Sequence, residues 1–197
     1  MNNESSPERP SGAAQCREHL DAFLAFVQSR VHEILLEHGQ ITPTLCVLHE
    51  EGLTVYASNS HEDAQDDSHA EDVRLICAAM GAQIAVLVIQ VWAPPVQRGK
   101  PRSFQASPPL FANYREYLSL PGAALGGFRA HRLLPVLRNR DGSYSCLGQT
   151  LMAAAKPVVD RYGDLLPHHP PTAKDRALAR RRLAWRGLVI HPGPLPE

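Results

Sequence analysis

Between residues 15 and 38, apolar side chains recur at every third or fourth position: Leu20, Phe23, Leu24, Val27, Val31, Ile34 and Leu35. That period matches the turn of an α-helix and predicts one amphipathic helix over 15–38. Gly39 follows at once and suits the left-handed position that closes a helix. Two short apolar runs come next, Leu45–Leu48 and Leu53–Ala57, on either side of "HEEG". They predict a β-hairpin in which Gly52 supplies the positive φ of a tight turn. A second helix is predicted over Ala70–Met80, with Val73, Ile76, Cys77 and Met80 as its apolar stripe. Ser68 and Glu71 have the spacing of a capping box, and Gly81 is placed to end this helix.

The period then changes. Ile84–Trp92 is rich in β-branched residues and too short for a long helix, so it reads as a strand. Its apolar residues do not alternate with polar ones, which predicts that both faces are covered near its middle. Pro94 and Pro95 end it, and residues 93–113 form a long loop. "YREYLSLPG" alternates as a strand should, with Tyr114, Glu116, Leu118 and Leu120 on one face. "GGFRAHRLLPVLR" is a further strand, kinked or placed at an edge by Pro135. "NRDGS" is a turn, and "YSCLG" returns as a short strand. Beyond Thr150, "LMAAAKPVVDRYGDLL" holds a short helix broken near Pro157. "TAKDRALARRRLAWRGLVI" is a last helix with a basic face, with Leu178, Leu183 and Trp185 available to dock it.

These elements give an α+β class: an antiparallel or mixed sheet of five to six strands, two main helices packed on one face, and a Pro-rich, partly helical C-terminal tail. The organisation read from the pattern is a disordered leader over 1–14, an α+β domain over 15–149, and a tail with a basic helix over 150–197. No internal repeat of solenoid or propeller length is visible.

Several short pieces resemble a loosely defined group of small bacterial and phage proteins. The pieces are His38-Gly39, the strand through Trp92, Arg115-Glu116 and "HRLLPVLRNRDG", within a span of roughly residues 18–149. The group carries no assigned activity. The resemblance therefore implies an architecture and no catalytic residue.

Composition narrows the class. The chain has 197 residues, 44% hydrophobic and 20% charged, which fits a globular protein. No apolar run is long enough to cross a bilayer, and the N-terminus lacks the pattern of a secretory signal, so a cytoplasmic protein is expected. Cys16, Cys46, Cys77 and Cys146 lie far apart without a CxxC pair, which argues against a zinc ribbon or a redox dithiol. Net charge is zero but unevenly laid out. Residues 1–72 hold fourteen acids and three bases, and residues 73–197 hold six acids and seventeen bases. Such a layout predicts either two differently charged faces or attraction between the halves.

Candidate chemistry follows from these charges. Glu62, Asp63, Asp66, Asp67, Glu71 and Asp72 are ligand types for a hard cation, but without the spacing of a calcium loop. The simpler reading is a solvated loop entering a helix. A metal-dependent nuclease would draw on Lys100, Glu116 and Asp72, without the spacing that chemistry needs. Cys146 with His131 or His49 would make a thiol nucleophile and base, but no local motif supports it. "GAALGG" at 122–127 lies between strands and does not open a helix, so it is a hairpin loop and not a phosphate cradle. The basic pieces say more. Arg98, Lys100 and Arg102 lie in the long loop, and Lys174, Arg176, Arg180, Arg181, Arg182 and Arg186 accompany Trp185 in the last helix. Bases in a row neutralise phosphates, and Trp stacks on bases or anchors in a partner groove.

The sequence thus favours a non-enzymatic module that binds a protein partner or self-associates, with no cofactor, no metal and no membrane. The alternative is a nucleic-acid-associated protein using the same basic residues. A metal-dependent hydrolase is the third reading.

Overall fold

A computed structural model describes residues 12–57, 67–93, 114–152, 162 and 164–188. Helix α1 covers Gly12–His38 and stops where Gly39 takes a φ of 72°. Strands β1 (Thr44–His49) and β2 (Gly52–Ala57) form the expected hairpin, with His49 paired to Gly52, whose φ is 130°. Helix α2 covers Asp67–Met80 and ends at Gly81, φ 67°. Ser68 lies inside this helix, so it is not the N-cap that its spacing to Glu71 predicted. The described capping box is at the last helix instead, as shown below. Strands β3 (Ile84–Ala93), β4 (Arg115–Ala124), β5 (Phe128–Arg138), β6 (Tyr144–Leu147) and β7 (Leu151–Met152) follow, then helix α3 (Ala173–Trp185).

The class is α+β. One sheet runs in the order β2-β1-β3-β4-β5-β6, with β7 also paired to β5, and every pairing is antiparallel. β3 and β4 stay paired up to Ala93 opposite Arg115. β5 is interior and not at an edge. Pro135 sits between Val136, which pairs with β6, and Leu133, which pairs with β7. Its carbonyl accepts from Gly148 N at 2.7 Å. In a strand the N and O of one residue point the same way, so the missing N–H falls in the gap between the two partners. Leu151 and Met152 belong to β7, so the expected short helix does not begin there. The rest of that stretch, up to residue 161, lies outside the described residues.

The two main helices do not share a face of the sheet. Leu20, Leu24, Val27, Val31 and Leu35 of α1 pack with Val86, Val88, Leu118, Leu120 and Leu134. Ala70, Val73 and Cys77 of α2 pack with Leu45, Val47, Leu87, Ile89 and Val91 on the opposite face. The reason lies in β3, where both parities are apolar and almost wholly buried. Leaving Ile84, Val86 and Val88 in water would forfeit on the order of 5–9 kcal/mol, so a one-sided sheet is excluded. Gly122 lets α1 approach closely: a Cβ there would lie 3.2–3.3 Å from side-chain atoms of Leu20, Leu24 and Val86. Residues beyond 150 join the same cores. Tyr162, Leu165 and Leu166 pack on the α2 face, and Tyr162 Oη lies 2.7 Å from Nδ1 of His69.

Candidate interaction surface

Helix α3 begins at Thr172. Its Oγ1 accepts from Asp175 N at 3.2 Å, and Asp175 Oδ2 accepts from Thr172 N at 2.9 Å. This reciprocal box satisfies two free donors of the first turn. The Thr172 hydroxyl and backbone hold the Asp175 carboxyl below its ordinary pKa. At the other end, Gly187 at φ 74° closes the helix, with Leu188 N donating to Leu183 O at 3.0 Å.

Two contacts dock α3 on the outer side of α2. Ala179 and Leu183 are buried against Leu75 and Ala79. Arg186 Nη1 donates to Asp72 Oδ1 at 2.7 Å, and its Nη2 pairs with Glu71. Those two carboxylates, as hydrogen-bond partners, raise the Arg186 pKa. The acidic and basic halves of the chain therefore meet inside one molecule. Arg176 lies against Gly81, where a Cβ would meet its Nη1 at 3.1 Å, and its Nε is buried without a partner among the described residues.

With Arg176, Ala179 and Leu183 turned inward, helical spacing puts Lys174, Leu178, Arg181 and Trp185 on the outermost stripe. Arg180 and Arg182 flank it, and all four of these cations are exposed. Leu178 is 50% exposed and Trp185 94%. Two of the three residues expected to dock the helix thus face solvent, and Ala179 takes their place beside Leu183. Among the described residues, Lys174, Arg180, Arg181 and Arg182 have no acidic partner. Arg98, Lys100 and Arg102 lie outside the described residues.

The other candidates are not assembled. Glu62, Asp63 and Asp66 lie outside the described residues, whereas Glu71 and Asp72 are engaged by Arg186. Among the described residues no three His, Cys, Asp or Glu side chains are grouped to hold a metal. Glu116 pairs with Arg138 on the α1 face, away from Asp72 on α2. His131 lies on β5 opposite Pro121, six positions from Leu137, the β5 residue that pairs with Cys146, a separation of roughly 20 Å. His49 bonds Thr54 at 2.8 Å and Cys146 is exposed. "GAALGG" makes the β4–β5 hairpin, with Gly126 and Gly127 at φ 87° and 82°. Burial pushes the Cys46 and Cys77 thiols up to about 12, as packing residues and not nucleophiles.

Two polar groupings have no signal in the local sequence. Ser119 Oγ lies 2.9 Å from His131 Nε2 on the α2 face, and burial pushes the His131 pKa down to about 4. The second is Gln90, Glu116 and Arg138, which meet beyond the end of α1. Their positions are separated by 26 and 22 residues, and only the strand register joins them.

No described helix is long and apolar enough to cross a membrane. No family model, curated protein or solved structure matches the chain.

Proposed function

We propose that the protein acts by binding another protein and not by catalysis, with the outer stripe of α3 as the contact. The observation that carries this reading is Trp185, 94% exposed on a helix that is capped, docked and ion-paired to the body. A rigidly held Trp beside arginines is the residue combination that dominates binding energy at protein interfaces. Leu178 extends the apolar strip, and Lys174, Arg181 and Arg182 set its charge, so the matching surface is acidic. A cytoplasmic setting belongs to this proposal and is supported by four unpaired cysteines.

The test is affinity capture from native lysate beside light scattering of the purified chain. Wild type is expected to retain a partner, or to self-associate, in a manner lost on Trp185→Ala with Leu178→Ser. Equal behaviour of the double variant and wild type would sink the assignment. A second reading rests on Arg180–Arg182, which have no acidic partner among the described residues. If the ligand is a nucleic acid, a salt-sensitive gel shift is expected that disappears when these three become Ser.

A further inference from the structure

On the α1 face of the sheet, a shallow hollow of about 340 Å³ lies between α1 and the strands β5 and β6. Ala25, Gln28, Ser29 and His32 line it from the helix, and Arg132 and Leu147 from the strands. The four helical residues follow one another at steps of three and four, so they share one side of α1. Arg132 Nη1 donates to Gln28 Oε1 at 3.0 Å, and its Nη2 to the Asp21 carbonyl at 3.1 Å. Both acceptors are neutral. Among the described residues no carboxylate lies within ion-pair distance of Arg132. The two bonds fix the plane of the guanidinium and leave its charge and most of its N–H groups unspent.

The other polar side chains add donors. Gln28 turns its amide oxygen to Arg132, so its Nε2 is free to donate. His32 Nδ1 is engaged by Tyr144 Oη at 2.5 Å, which leaves Nε2 as the free ring nitrogen. With the hydroxyl donating to Nδ1, the imidazole carries its proton on Nε2. Gln28, His32 and Arg132 have no nitrogen that is both buried and unpartnered, so their spare donors are reachable from solvent. Ser29 is exposed and supplies a hydroxyl. No carboxylate is among the described residues that line the hollow. Donors around an unpaired cation replace the lost hydration of an anion. A carboxylate holds its oxygens in one plane, which a single guanidinium fork satisfies. A phosphate spreads its oxygens in three dimensions, so donors from a helix and a strand can meet it together. The size of the hollow is that of a small-ligand site. We propose that it binds a phosphate group, free or as a monoester, with Arg132 as the cation and Gln28, Ser29 and His32 as further donors. The site shares nothing with α3, which docks outside α2 on the other face of the sheet.

The exposed cations of α3 attract phosphate on their own, so the full chain carrying Arg180→Ser, Arg181→Ser and Arg182→Ser is the starting protein. Its amide NMR spectrum is followed while inorganic phosphate, glycerol 3-phosphate or acetate is added at constant ionic strength. Saturable shifts over residues 25–32 and at Arg132 are expected with phosphate or its ester, and not with acetate. Tighter binding of the ester would make a monoester the ligand, and tighter binding of inorganic phosphate the free ion. Arg132→Gln should weaken binding about tenfold or more. Ser29→Glu, at an exposed position, adds a carboxylate to the lining without touching the core. It should abolish the shifts even if Arg132→Gln does not fold. No saturable shift, shifts confined to other residues, equal shifts with acetate, or shifts unchanged by Ser29→Glu would each overturn the proposal.

Discussion

Ser119 and His131 face each other diagonally across β4 and β5; the serine is buried and the histidine half-buried. The imidazole is desolvated and its Nδ1 has no partner among the described residues, so the folded protein holds it neutral. Its pKa falls from 6.5 to about 4, and between these values the unfolded chain binds more protons than the folded one. The contribution is complete above about pH 6.5 and is lost as pH falls toward 4, by roughly 3 kcal/mol at most. Urea midpoints taken from about pH 7 down to about pH 4.5 should show this slope, and His131→Gln should flatten it. Gly122 sets a second residue-scale limit. Gly122→Val places its methyls against Leu20, Leu24 and Val86 and is expected to cost about 1–3 kcal/mol in chemical denaturation.

At the scale of elements, α3 is held by a short apolar contact and one charged clamp. Leu183→Ala should raise amide exchange across residues 173–186 while leaving β3 and β4 protected, because the affected packing ends at Leu75 and Ala79. Arg186→Ala should have the same direction, and added salt should reproduce part of it in wild type, since that clamp is exposed. The elements themselves were legible in the sequence. The period of α1, the glycines at 39 and 81, and the "HEEG" hairpin each state a local preference that the structure meets. The inward face of α3 was not. Ala179 carries no hydrophobic signal to set against Leu178 and Trp185, and only the position of α2 decides which side is covered. The start of α2 was misplaced for a related reason. Ser68 competes for a cap on local spacing, and the helix simply runs through it.

For the whole molecule, the decisive fact is that β3 is apolar in both parities. The sequence showed that both faces needed cover, yet it could not say which helix crossed to which side. That choice is made by α2 passing over β1 on its way from β2 to β3. Two substitutions test the arrangement. Leu118→Ala lies on the α1 face and Leu87→Ala on the α2 face, and each should cost about 2–5 kcal/mol. A sheet covered on one side would leave one of them nearly silent in the same denaturation experiment. The grouping of Gln90, Glu116 and Arg138 is also a property of the whole molecule. Three polar residues in apolar strands look like interruptions along the chain, and they become mutual partners only when β3, β4 and β5 lie side by side.

The pairing of Ala93 with Arg115 has a practical corollary. Partners across an antiparallel ladder keep their α-carbons roughly 5 Å apart, so the backbone leaves the sheet and re-enters it at adjacent points. A foreign domain whose own termini are close together can be spliced between these two positions without stretching either strand. Such a rewired polypeptide should melt as one cooperative unit, with every ladder from β1 to β6 intact.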